Sequence, residues 1–204
     1  MRVLRDFCLV KIDKKYRDEI KTKSGAKLYV APEWRPEWHA TIEGKVVAIP
    51  EKLSDQYFEN KGIVADVHVG DKIYFNYLVV SSGGVNEVKI DDELYYKVDY
   101  PAIWAYKRRG KLTMISGWVF VEPYVEKKDE KVGSLYLPEM SQTEVHKDLG
   151  TIYRIGKPLA HEHDLKLKQG DVVAFRKIGA FENEIEGHNV YVMKQECIMA
   201  KINM

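Results

Sequence analysis

The sequence predicts an all-β protein made of two tandem small antiparallel β-barrels. Three observations carry that expectation. Apolar residues alternate with period two rather than 3.6, turn residues punctuate short runs, and five segments of the first half return in the same order in the second.

The first run is Phe7-Cys8-Leu9-Val10, with Cys8 and Val10 on one face and Phe7 and Leu9 on the other. The run "EGKVVAI" (43–49) reappears as "LGTIYRI" (149–155). Val69-Gly70-Asp71-Lys72-Ile73-Tyr74-Phe75 returns as Gln169-Gly170-Asp171-Val172-Val173-Ala174-Phe175, a glycine-aspartate turn feeding an apolar strand. Ser81-Ser82-Gly83-Gly84 reads as a loop. "NEVKIDDELYY" (86–96) reads as a hairpin turning at Asp91-Asp92, and "NEIEGHNVYV" (183–192) as its counterpart, turning at Gly187-His188. "AIWAYK" (102–107) answers to "CIMAKI" (197–202). Glu51–Asn60 is a weak helix candidate, and no stretch has convincing amphipathic helical spacing. Residues 1–106 therefore form the first barrel, 107–111 a short polar linker, Lys-Arg-Arg-Gly-Lys, and 112–204 the second barrel.

Bulk properties narrow the function. A chain of 204 residues with 45% hydrophobic and 31% charged residues has the composition of a folded domain pair. Net charge is +1, so no whole-molecule field draws in nucleic acid or an anionic membrane. The longest apolar runs, such as Trp118–Val121, fall far short of the ~20 residues of a membrane span, and the N-terminus lacks the pattern of a signal peptide. Cys8 and Cys197 sit at opposite ends, which predicts reduced, buried thiols and a cytoplasmic protein. Nucleophile-elbow, Walker-type and dinucleotide fingerprints are absent from the sequence, so no catalytic residue and no cofactor are expected. "HEHD" (161–164) places His161 and His163 on one face of an extended segment. A zinc site needs three or four ligands, no second cluster answers this one, and it reads as a solvated loop.

One repeated feature needs explaining. Leu28-Tyr29-Val30 and Leu135-Tyr136-Leu137 each follow a glycine, precede Pro-Glu by at most one residue, and lie among lysines and acids. In an extended segment the outer two residues face one way and the tyrosine the other. Apolar triplets can be core strands. Their flanks, Lys21-Thr22-Lys23-Ser24-Gly25 and Glu126-Lys127-Lys128-Asp129-Glu130, instead have solvated composition.

Taken in order, these segments resemble the GroES-type co-chaperonins, the chaperonin-10 family. "LRDFCLVKI" (4–12) is similar to the family's opening strand and "KTKSGAKLYV" (21–30) to its flexible loop. "VHVGDKIYFN" (67–76) and "NEVKIDDELYY" are the most specific matches. "VGSLYLPE", "LKQGDVVAF" and "HNVYVMKQECIMAKI" carry a looser second copy, so the chain resembles tandem forms such as the double-domain co-chaperonin of plant chloroplasts.

The resemblance implies a non-enzymatic lid for a GroEL-type chaperonin, with Leu28, Tyr29, Val30, Leu135, Tyr136 and Leu137 as chaperonin-binding residues on two loops. Each buried aliphatic would contribute roughly 1.5–3 kcal/mol. Ordering a loop costs about 2–5 kcal/mol. One loop alone would bind weakly, and a ring of loops tightly but reversibly. The family pattern also implies self-assembly into a ring, Met1, Arg2, Val3 and Leu4 pairing with Ile198, Met199, Ala200 and Lys201 of the next chain. Within the chain, Ala102–Lys107 would pair with Leu112–Ser116. Barrels added two at a time favour three or four chains per ring. Two features depart from the family: the tyrosine at the centre of each triplet, and "PEWRPEWH" (32–39) with Trp34 and Trp38. The alternative is a tandem β-barrel module stacking carbohydrate or single-stranded nucleic acid on some of its thirteen tyrosines and four tryptophans.

Overall fold

The structure is a computed structural model that describes residues 3, 6–16, 19–21, 27–29, 35–51, 53, 65–127, 131–132, 135–136, 143–159 and 166–202. The protein is all-β and forms two β-barrel-like units in tandem, Met1–Ile115 and Ser116–Met204. The first unit contains β1 (Phe7–Lys11), the short strands β2 (Glu19–Lys21) and β3 (Lys27–Tyr29), and the single-turn helix α1 (Pro36–His39). It continues with β4 (Glu43–Ala48), β5 (Lys72–Phe75), the single-turn helix α2 (Leu78–Ser81), β6 (Glu87–Ile90), β7 (Glu93–Asp99), β8 (Ile103–Arg108) and β9 (Lys111–Met114). The second contains β10 (Trp118–Lys127), β11 (Lys131–Val132), β12 (Leu135–Tyr136), β13 (Thr143–Ile155), β14 (Val172–Phe175), β15 (Phe181–Ile185), β16 (His188–Lys194) and β17 (Ile198–Ile202).

The two units share one strand order. The first sheet runs β6-β7-β1-β4-β5-β8-β9 and the second β15-β16-β10-β13-β14-β17, all antiparallel. Six strands therefore match one for one, and β9 is an addition to the first sheet. The match extends to irregularities. A bulge falls between Leu9 and Val10 where β1 meets β4, and another between Phe120 and Val121 where β10 meets β13. A matched glycine permits each close approach. A Cβ on Gly44 would collide with Val10 Cγ1, and one on Gly150 would collide with Val121 Cγ1 and lie 2.6 Å from the Glu122 carbonyl.

Alternation gives each sheet an apolar inner face. Val119, Val121, Ile152, Val173, Phe175, Tyr191, Met193 and Ile198 form the core of the second unit. In the first unit Val10, Val46, Ile73, Phe75 and Val98 are fully buried. β1 is buried on both faces, because Leu9 packs on the far side with Val3 and Ala48. Four tyrosines (74, 96, 100 and 191) and two tryptophans (104 and 118) are buried in these cores.

Hairpin chemistry follows the turn residues. Asp91 and Asp92 both have positive φ between Ile90 and Glu93, as a tight primed turn requires. In the second unit the turn residues are Glu186 and Gly187, not Gly187 and His188, and His188 opens β16 opposite Ile185. The stretch 107–111 is the β8–β9 hairpin, turning at Arg109-Gly110 with positive φ at both. It thus joins two paired strands, and the expected pairing across it is present, with Tyr106 opposite Thr113 and Lys107 opposite Leu112. Glu51–Asn60 lies largely outside the described residues.

Candidate functional site

Both apolar triplets begin on the return strand of a small hairpin that is separate from the two main sheets. In the first unit Leu28 pairs with Ile20 and Tyr29 with Glu19. In the second Leu135 pairs with Val132 and Tyr136 with Lys131. Tyr29 is 75% exposed. Val30 and Leu137 lie outside the described residues. Neither β3 nor β12 is a strand of a main sheet, so the core-strand reading finds no counterpart in the topology.

The stems of the two hairpins are built differently. β1 and β4 end their ladder at Lys11 opposite Lys45, and beyond it an isolated bridge joins Tyr16 to Ala40. The Thr41 amide donates to the Lys15 carbonyl at 3.0 Å, and the Thr41 hydroxyl to the Lys14 carbonyl. Lys15 reaches across to Glu87 at 2.7 Å, tying this stem to β6. Next to the bridge, α1 presents Trp38, which is 67% exposed with the Arg35 guanidinium 4.5 Å from its ring centroid. Trp34 is outside the described residues. In the second unit β10 and β13 pair from Val119–Ile155 out to Lys127–Thr143. Their register breaks between Pro123 and Val125, where His146 Nε2 lies 3.0 Å from Glu126 Oε2 and its ring packs against Tyr124.

The proposed assembly residues divide between core and edge. β17 is the last strand of its sheet, so among the described residues one side of its backbone has no strand partner. Ile198 is buried against the core, whereas Met199, Ala200 and Lys201 are exposed. Val3 is buried and forms a parallel bridge with Pro50. Met1, Arg2 and Leu4 are outside the described residues. The first sheet shows how such an edge is covered: β8, the counterpart of β17, carries β9. Counting back from the matched bulges, Leu112–Ile115 corresponds to Met1–Leu4.

The glycine-aspartate turns are duplicated atom for atom. The amides of Gly70 and Gly170 donate to the carbonyls of Val46 and Ile152, both at 2.9 Å. The buried Asp71 accepts the His68 amide at 2.7 Å and Asp171 the Lys168 amide at 2.9 Å. Each carboxylate then meets a cation. Arg108 grips Asp71 with Nε at 2.9 Å and Nη2 at 2.7 Å, and Lys201 lies 2.9 Å from Asp171. Burial pushes both carboxyls upward. The bonds from Arg108 and the His68 amide outweigh it at Asp71, those from Lys201 and the Lys168 amide at Asp171, and both end below the ordinary value.

Among the described residues no group of three or more His, Cys, Asp or Glu could hold a metal ion, and His161 and His163 are outside them. Burial pushes the Cys8 thiol up to about 12 and also raises Cys197, so both stay protonated and weakly nucleophilic near neutral pH. His188 joins Glu122 at 2.7 Å and stacks on Tyr153, a cross-strand tie whose first-unit counterpart is Lys11 with Glu93 at 3.0 Å. No described helix is long and apolar enough to cross a membrane.

Residues 111–202 match the family described as Chaperonin 10 Kd subunit. Over 88 residues the chain is 28% identical to Co-chaperonin GroES 1 of Rhodopirellula baltica, an alignment spanning 41% of this chain and 84% of that protein. Each match thus has the extent of one unit.

Proposed function

We propose that the whole chain is a tandem co-chaperonin, each unit a GroES-type barrel, which caps a GroEL-type chaperonin and assists ATP-dependent folding without catalysing a reaction itself. The observation that supports this best is the shared strand order of the two sheets, with matched bulges and matched glycine-aspartate turns. The family match covers the second unit, and the repeated architecture extends the reading to the first. In this role Leu28, Tyr29, Val30, Leu135, Tyr136 and Leu137 dock on the chaperonin. The separation of both hairpins from the main sheets suits such contacts.

Assembly follows from the edges. The N-terminal residues of one chain cover β17 of the next as β9 covers β8, closing a ring of three or four chains. Low affinity per loop then becomes reversible capping through many simultaneous contacts. Of the thirteen tyrosines and four tryptophans, Tyr74, Tyr96, Tyr100, Tyr191, Trp104 and Trp118 are buried in the cores and offer no face to a carbohydrate or single-strand ligand. The discriminating experiment is refolding of a denatured substrate by a GroEL-type chaperonin with ATP and this protein. The chain should raise the yield. Leu28→Asp combined with Leu135→Asp should abolish the gain while circular dichroism stays unchanged; a double variant that still assists would remove the triplets as anchors.

A further inference from the structure

We infer that the two loops are unequal anchors: the second is presented on a pre-formed arm and carries most of the affinity for the chaperonin, with Glu126 and His146 as the positioning residues of that arm. This inference rests on the proposed capping role and concerns how the labour is divided within it.

The difference lies in the stems. In the first unit the ladder stops at Lys11 opposite Lys45, and between it and the β2–β3 hairpin the described pairing is the single Tyr16–Ala40 bridge. In the second unit three further pairs, Val125–Val145, Glu126–Glu144 and Lys127–Thr143, extend the ladder past the register break before the β11–β12 hairpin. A residue already held in a ladder does not lose that conformational freedom again on docking. Two loops with similar apolar triplets should therefore differ in affinity, in favour of the one with the longer stem.

The arm needs a device to fix its direction, because its ladder is interrupted at its base. Pro123 has no amide hydrogen to donate, and between the pairs Pro123–Gly150 and Val125–Val145 the single residue Tyr124 faces residues 146–149 of β13. A two-stranded ribbon bends easily at such a step. The Glu126–His146 contact at 3.0 Å bridges the strands there, and the Tyr124 ring, 5.8 Å from the imidazole centroid, packs against it. Glu126 and His146 touch no substrate; they act by aiming the outer ladder that bears Leu135 and Tyr136.

The test uses the full chain and a purified GroEL-type chaperonin ring holding ADP as the probe. Leu135→Asp should weaken binding at least tenfold more than Leu28→Asp. His146→Ala should weaken it several-fold without changing the thermal midpoint, and His146→Gln, which can still donate to Glu126, should restore it. In the free chain, amide exchange at 125–127 and 143–145 should be slower than at Tyr16 and Thr41. Equal losses from the two Asp variants, or exchange in the outer ladder as fast as in the first stem, overturn the inference while leaving the capping role intact. Failure of the unsubstituted chain to bind overturns the capping role and this inference with it.

Discussion

Asp71 and Asp171 illustrate how far single residues could be read. Their Gly-Asp context identifies a turn before a strand in both halves, and the structure places both carboxylates in the same buried position, each accepting the amide three residues upstream. Their cations were not legible, because they occupy different positions on matched strands: Arg108 lies one residue beyond the Lys72–Lys107 pair of β8, within a run that reads as solvated linker, and Lys201 lies opposite Val173 on β17. Since folding lowers both carboxyl pKa values, their contribution is fully present above the unfolded value of about 3.9 and is lost as pH falls through the lower folded values. Asp71→Asn or Asp171→Asn should therefore lower stability at neutral pH by about 2 kcal/mol. The same variants should flatten the decline below about pH 4, as melting temperature measured against pH would reveal. An unchanged acid limb would assign that decline to other carboxylates.

Among the elements, those governed by period-two alternation were legible: β1, β4, β5, β6 and their second-unit counterparts fall where apolar residues alternate. The helices α1 and α2 were not, because four residues make one turn and have no periodicity to detect. Nor was the reach of β10 and β13. The charged residues Glu126 and Lys127 and the interior Pro123 argue for a loop, yet the ladder passes the proline by breaking register and continues. The polar stretch 107–111 takes a defined shape. Arg109 and Gly110 form its turn, with φ of 49° and 79°. A β-branched residue at Gly110 would be forced into the left-handed region, at about 1–2 kcal/mol. Gly110→Val should accordingly destabilise the β8–β9 hairpin and speed amide exchange at Tyr106 and Thr113, which face each other across it, whereas an unaffected exchange pattern would mean the pairing does not depend on this turn.

At the scale of the whole molecule, the ordered repeats of the sequence have their counterpart in a strand order that the two sheets share. The triplets stand out in the sequence by their repetition and their flanks, but nothing in their composition distinguishes a hairpin on a long ribbon from one on a single bridge; that difference arises from strand pairing many residues away. The open side of β17 makes a prediction about assembly. Native mass spectrometry should find three or four chains per ring, and deleting Met1–Leu4 should leave single chains; a ring that survives the deletion would locate the contact elsewhere. The central claim, that this chain is a nucleotide-dependent lid, is tested most directly by sedimenting it with a GroEL-type chaperonin in the presence and absence of ATP. The account predicts that the chain travels with the chaperonin when ATP is present and separates from it when nucleotide is removed; sedimentation apart under both conditions would contradict it.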